Sequence, residues 1–361
     1  MAIFVVPYFR NSMALHNRYD KHTLREKRKQ EPFERKTVSF YRYVIYADPV
    51  TFRDQLYADF QRLGILGRIY IAREGINAQI CVPEPNLKEF VSYLNQSDTL
   101  KNIPLKWAVE DDGMSFIKLV IKVRKKIVSD GLDDNTFDVT NVGTHLNALE
   151  FNTALAQPET IVVDMRNHYE TEVGRFENAV CPQADTFKEE LPMVLDLLRG
   201  KEDKKVLMYC TGGIRCEKAS AFLRHHGFTD VNQLHGGVID YVRQIKQQGI
   251  ESKFKGKNFV FDERMGERIT NDVLATCHQC GDPCDAHTNC ANDACHLLFI
   301  QCENCQRKFN GCCCNSCKNF LALPIDEQRK LRKGPPKKHA HQVHKSRLRP
   351  NLRDILKEEK P

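Results

Sequence analysis

From Thr37 onward the chain switches between short apolar runs and stripes of helical period. Val38 to Tyr46 is a β-rich run, and Phe52, Leu56, Phe60 and Leu63 recur at i, i+4, i+8 and i+11, as one helix face does. The runs Arg68 to Ala72 and Ala78 to Val82 flank Arg73-Glu-Gly-Ile-Asn77, whose residues suit a hairpin turn. Leu87, Phe90, Val91 and Leu94 mark a second helix, and a strand at Leu105 to Val109 or Phe116 to Val123 completes the order βαββαβ. That order predicts a ferredoxin-like (acylphosphatase-like) domain.

A different rhythm follows. Asp130-Gly-Leu-Asp-Asp134 and Asn141-Val-Gly143 interrupt the hydrophobic periods as a linker would. Leu146 to Leu155 reads as a helix and Thr160 to Arg166 as a buried strand ending in a charged pair. Phe187, Leu191, Val194, Leu195 and Leu198 form a helical stripe, with Pro192 expected in its first turn or dividing it. Val206 to Tyr209 is a buried strand, Ile214, Ala221 and Phe222 one face of the next helix, and Val231 to Leu234 a short strand. Gly236-Gly237 is a turn before a last helix, Val238 to Ile245. Strands alternating with helices predict a parallel α/β sheet covered on both faces. The organisation expected is a basic arm over 1–36, the ferredoxin-like domain over 37–128, a linker over 129–145 and the parallel domain over 146–250. A connector and Cys-rich region over 251–323 and a basic, unstructured tail over 324–361 complete it.

The central strand ends at Cys210, followed by Thr-Gly-Gly-Ile-Arg-Cys216 and a helix. At the C-terminal edge of a parallel sheet, the next helix presents unpaired N–H groups and partial positive charge, which favour a thiolate. Free cysteine titrates at about 8.5, and such surroundings lower that to roughly 3.5–7.5, with Arg215 as the nearby cation. Gly212 and Gly213 let successive N–H groups turn inward as an anion nest. The pattern points to Cys210 as a nucleophile or group carrier, with a packed structural cysteine as the alternative. Cys216 is either a resolving thiol or a packed residue of the helix's first turn.

Cysteine usage and charge then change the picture. Eleven of the 15 cysteines fall between Cys277 and Cys317, which in a long chain without a signal-like or membrane-spanning run favours metal binding in a reducing cytoplasm. Cys277-x-x-Cys280, Cys302-x-x-Cys305 and Cys314-x-x-Cys317 are tight knuckles that favour structural zinc, with redox disulfides or an iron–sulfur cluster as alternatives, and two tetrahedral zinc sites need eight ligands. The surplus offers Cys284, Cys290, Cys295, Cys312, Cys313, His278, His287 and His296; we assign the last two places to Cys290 and Cys295. The net charge of +7 is uneven: Gln328 to Pro350 holds nine Lys or Arg and no acid, and Arg10 to Lys36 is also base-rich, so both ends suit RNA. Arg73, Asn77, Lys122, Arg124, Lys125 and Lys126 would add a basic surface if the fold gathers them.

Val163-Asp-Met-Arg166, Tyr169 to Ala179, the Cys210 to Arg215 loop and Leu234-His-Gly-Gly237 stand in the order found in rhodaneses, which the middle domain resembles. Arg73-Glu-Gly-Ile-Asn-Ala-Gln79, Cys210 to Ser220, Gly256 to Arg268 and Cys277-His-Gln-Cys-Gly281 extend the likeness. From Val38 to about Cys317 the chain resembles the bacterial TrhO (YceA) family of rhodanese-containing tRNA uridine hydroxylases, departing from its cysteine spacing at Cys312 to Cys317. The resemblance implies oxygen-dependent 5-hydroxylation of the wobble uridine (position 34) of tRNA, gripped by its anticodon arm, with Cys210 and Arg215 catalytic. It further implies that Asp164 and Arg166 brace the loop and that Arg175 holds substrate. No dinucleotide glycine fingerprint is present, so no flavin or nicotinamide site is expected. A persulfide-carrying sulfurtransferase is the first alternative and a non-catalytic, zinc-dependent RNA-binding protein the second. The hydroxylase reading requires an opening wide enough to bring an extruded nucleotide to Cys210.

Overall fold

The computed structural model describes residues 19–132, 137–332 and 352–358. The start of the expected arm, the centre of the linker and most of the expected tail lie outside them. The chain divides into two compact units, residues 1–127 and 128–361.

The first unit contains α1 (Lys21–Lys29), β1 (Arg35–Tyr43), α2 (Pro49–Arg62), β2 (Leu66–Ala72), β3 (Gly75–Pro83), α3 (Leu87–Gln96), β4 (Lys106–Trp107) and β5 (Leu119–Val123). Its sheet order is β4-β1-β3-β2-β5, the ferredoxin-like arrangement with β5 added parallel to β2. Both candidate positions for the last strand are therefore used. Asp48 accepts hydrogen bonds from the Val50 and Thr51 N–H groups and starts α2, with Pro49 in its first turn. Leu56 and Phe60 of α2 and Phe90 and Leu94 of α3 bury one sheet face against Val38, Phe40, Ile69, Ile71, Ile76 and Ile80. Each such side chain stabilises the fold by about 1.5–3 kcal/mol. Residues 21–29, within the expected basic arm and without a sustained period in sequence, are helical. Asp20 caps α1, and buried Arg28 donates to the Phe116 carbonyl at 3.2 Å. A cap and one buried cation hold this turn, neither of which leaves an apolar period to read.

The second unit opens with β6 (Thr144–Leu146), α4 (Ala148–Leu155), β7 (Ile161–Asp164), α5 (His168–Val173), β8 (Gly174–Phe176) and α6 (Phe187–Leu197). β9 (Lys205–Tyr209), α7 (Ile214–His225), β10 (Asp230–Leu234) and α8 (Gly237–Gln248) follow. The order β6-β10-β9-β7 is parallel throughout. Pro192 lies in the second turn of α6, which continues past it, contrary to expectation. Burial of Leu191 and Val194 outweighs the single ladder bond a proline removes.

The connector does more than link. Its β11 (Phe254–Asn258) and β12 (Glu267–Arg268) join β8 in a three-stranded sheet of order β12-β11-β8. The Cys-rich region holds the hairpin β13 (His287–Asn289) and β14 (Leu298–Ile300), then α9 (Glu303–Phe309) and α10 (Asn315–Leu321). Two segments expected to be unstructured tail are helical: α11 (Ile325–Arg332) and α12 (Leu352–Glu358). Leu352, 2% exposed, packs with Phe299, Cys290, Cys312 and Cys313, contacts beyond the reach of local sequence pattern. No helix among the described residues is long and apolar enough to cross a membrane.

Candidate active site and cysteine clusters

Strand β9 delivers Cys210 to the C-terminal edge of the parallel sheet, and α7 begins four residues later. Gly213 takes φ 94°, a left-handed conformation that turns its N–H onto the Cys210 sulfur at 3.1 Å. The loop is held from behind by Gly237 at φ 68°, where a Cβ would come within 2.5 Å of the Cys210 carbonyl oxygen. Burial by itself raises the Cys210 pKa. The Cys216 thiol, the Arg215 guanidinium and the backbone N–H groups of Arg215 and Cys216 overcome that and lower it from 9.0 to about 5. Burial, together with the proton Cys216 shares with Cys210, raises the Cys216 thiol well above its ordinary range. Both sulfurs belong to one apolar cluster with Met208, Leu191 and Val194.

Arg215 has a partner that sequence reasoning missed. Its Nη1 and Nη2 donate to the two Glu170 carboxylate oxygens at 2.7 and 2.9 Å. Glu170 is wholly buried; burial alone would raise its carboxyl, and the Arg215 charge and hydrogen bonds bring it below the ordinary range. The same carboxylate accepts the Asn167 N–H at 3.0 Å, closing the capping box of α5. That Asn-x-x-Glu spacing was a legible signal for the helix start, though not for a partner 45 positions away.

Asp164 and Arg166 form a fully buried pair at 2.6 Å. The Tyr209 hydroxyl donates to Asp164 at 2.5 Å, and Arg166 donates to the Gly174 carbonyl at 2.6 Å. They touch the residue before Cys210 rather than the sulfur, and so brace β9 against β7 and β8. Arg175 stands elsewhere. It lines a cavity of about 380 Å³ with Thr171, Cys181 and Gln183, and none of the Cys210 loop residues line that cavity.

The expected opening above the sulfur is not there: Cys210 and Cys216 are each 0% exposed. The rim at Thr211 and Gly212 is half-buried, and a Cβ on Gly212 would meet nothing within 4 Å, so open space begins two residues on.

The comparisons decide the family. The description "UPF0176 acylphosphatase like domain" matches residues 35–127, "Rhodanese-like domain" 147–244 and "Rhodanase C-terminal" 255–318. The tRNA uridine(34) hydroxylase of Leptospira interrogans is 57% identical over 341 residues, 94% of this chain and 93% of that protein. Its namesake from Yersinia pestis is 54% identical over 321 residues, 89% of this chain and 90% of that protein. The chain belongs to the tRNA uridine(34) hydroxylase family. Among solved structures, a rhodanese-related protein from Thermoplasma volcanium aligns at 23% identity, covering 28% of this chain and 92% of that one, with a TM-score of 0.24.

This family member also carries two groups of four cysteines able to hold a metal ion, Cys277, Cys280, Cys302 and Cys305, and Cys290, Cys295, Cys313 and Cys317. Within each, all Sγ atoms lie within 4.8 Å of one another. The second group corrects the assignment made from spacing, since Cys313 takes the place given to Cys314. Cys314 precedes the first turn of α10 without a side-chain capping bond, and its sulfur lies 3.8 Å from that of Cys313 without joining the four. His278 instead meets Glu172 at 2.8 Å, and His287 is half-buried with its Nε2 shielded from water, which pushes its pKa down to about 4.

The Cys210 cradle makes a titration prediction. Followed by thiolate ultraviolet absorbance with Cys210→Ala as blank, one sulfur is expected to ionise near pH 5. Because the folded value lies below the unfolded one, the cradle's stabilisation is complete only above the free-thiol range, about 8.5, and is lost as pH falls through about 5. A midpoint in the free-thiol range would contradict the cradle.

Proposed function

We propose that this protein hydroxylates C5 of the wobble uridine, position 34, in the anticodon arm of tRNA, in the cytoplasm and with molecular oxygen as co-substrate, one oxygen atom going to C5 and the other leaving as water with two electrons and two protons from an external reductant. The thiolate-stabilising Cys210 loop, in a chain 57% identical to a tRNA uridine(34) hydroxylase over 94% of its length, carries this reading. Cys210 is the reactive sulfur, and Arg215 stabilises its charge while Glu170 fixes the guanidinium. Asp164 and Arg166 position the strand that ends in Cys210.

Zinc fits both cysteine groups. Tetrahedral Zn–S bonds of about 2.3 Å place sulfurs about 3.8 Å apart. Cys280 to Cys302 measures 3.6 Å, Cys295 to Cys313 3.8 Å and Cys313 to Cys317 3.7 Å. Bound there, the ion is a scaffold joining distant segments.

The test is nucleoside mass spectrometry of tRNA from a deletion strain. Wild-type protein is expected to restore 5-hydroxyuridine, and Cys210→Ala to restore none while still binding tRNA. Undiminished 5-hydroxyuridine with Cys210→Ala would refute the role. The same cradle suits a terminal persulfide, so a sulfurtransferase is the rival reading. Loss of a thiolated nucleoside on deletion, with hydroxyuridine intact, would establish it instead.

A further inference from the structure

In the first unit, residues that alternate with the core positions share the sheet face opposite α2 and α3. The printed register sets them in rows across the strands. Tyr41 pairs with Asn77, Asn77 with Tyr70, and Tyr70 with Lys122, so four strands contribute one continuous row. In the adjacent row Gln79 pairs with Arg68. Arg68 and Lys122 are exposed, and the two tyrosines and two amides are half-buried. A cation stands over each aromatic ring, Lys106 at 4.1 Å from the Tyr41 centroid and Arg124 at 5.5 Å from that of Tyr70. No Asp or Glu occurs among these residues; the Asp111 carboxylate that meets this sheet face lies at its other end, on Thr37.

We propose that this face binds an unpaired segment of RNA, the single-stranded loop of the substrate. The inference rests on the tRNA reading above and adds the surface and the mode of recognition. Rings offer stacking to any base, the Gln79 amide reaches base edges, and the exposed Arg68, Lys122 and Arg124 meet phosphates. Lys106, buried against the Tyr41 ring, and Asn77, whose amide donates to the Ile127 carbonyl at 3.3 Å, hold the row in place. Pairing excludes a duplex, because its bases stay stacked on one another and only unpaired bases can stack on Tyr41 and Tyr70, which stand two strands apart, about 9–10 Å. The narrow major groove of A-form RNA is also closed to such side chains.

The test uses the full-length protein, a labelled anticodon stem-loop RNA and a fully paired RNA of equal length, with binding read by fluorescence anisotropy. Wild type is expected to prefer the stem-loop. The double variant R68E/K122E, changed only at exposed positions, is expected to weaken stem-loop binding by more than about 10-fold. Replacing the pair by glutamine is expected to reduce the slope of log affinity against log salt by about 1.4, two single-strand phosphate contacts. Tyr70→Leu is expected to cost on the order of 10-fold and Tyr70→Phe to restore binding, since stacking needs the ring and not the hydroxyl. Lys88→Glu, on the exposed side of α3, is the charge control and is expected to bind as wild type. Thermal unfolding of each variant confirms the fold.

Unchanged stem-loop binding by R68E/K122E and Tyr70→Leu would overturn the proposal, as would an equal loss on the paired RNA. If wild type hydroxylates tRNA and the face variants do so equally well, the surface fails and the function stands. If the stem-loop binds through this face while uridine 34 stays unmodified by wild type, the function fails and the surface stands.

Discussion

Replacing Glu170 by alanine is expected to destabilise the protein by about 3–5 kcal/mol and to remove hydroxylation, because it leaves the buried Arg215 guanidinium without its bidentate partner. Both groups are almost fully buried, so water cannot take the place of the carboxylate. The loss reaches the chemistry through geometry. Arg215 stands in the first turn of α7, where the Cys210 loop ends, and its charge is among the causes that hold the thiol near 5. A guanidinium released from Glu170 moves toward solvent, and the thiol pKa rises. Chemical denaturation and the thiolate titration should therefore shift together. The double variant Glu170→Met/Arg215→Leu separates the two effects. Exchanging a buried ion pair for apolar side chains of similar volume is often neutral, or stabilising by about 1–4 kcal/mol. Its stability is expected to recover while the thiol stays near its free value and hydroxylation stays absent. A single Glu170→Ala variant with native stability and full activity would show that the pair does neither job.

How far the sequence could be read follows from the range of the interactions involved. The two sheets and the Cys210 loop were legible because strand and helix periods are local, and because a strand, a cysteine, paired glycines and an arginine stand consecutively. The Arg215 partner was not, since Glu170 sits within a run of charged and polar residues and only tertiary folding brings it to α7. Asp164 and Arg166 were found, but their contact with the loop runs through the Tyr209 hydroxyl, an apparent core residue. Arg175 was drawn toward the substrate by its place in a motif, whereas folding puts it in another cavity. Accessibility of the sulfur could not be read from one sequence, because it depends on how the Gly212 and Gly213 peptides close over it. The α1 and α12 helices escaped notice for a related reason: polar segments fixed by a cap, one buried arginine or one buried leucine carry no period.

The metal prediction has the widest structural consequence. Removing both ions with a strong chelator is expected to unfold the region around residues 277–321 while the parallel sheet of β6, β7, β9 and β10 stays folded. The reason is the composition of the small cores. Two of them consist of Cys290, Phe299, Cys312, Cys313 and Leu352, and of Cys277, Cys305 and Phe309, so cysteines fill places where aliphatic side chains would hold an independent domain. A third, of Ala275 and Ile300 on Tyr169, Val173 and Phe259, covers only the edge of the region. Two short strands and two seven-residue helices cannot offset their ordering entropy on that little apolar burial. Structural zinc supplies about 10–16 kcal/mol per site in comparable small modules. Hydrogen exchange with and without chelator should show protection lost across this region and retained in Val206 to Tyr209. Metal analysis is expected to give two zinc ions per chain. It also decides between neighbouring cysteines: Cys313→Ser should lower the count to one, whereas Cys314→Ser should leave it at two. The reverse result would restore the Cys314-x-x-Cys317 knuckle as the binding unit, and full hydrogen-exchange protection after complete metal removal would remove zinc from the scaffold altogether.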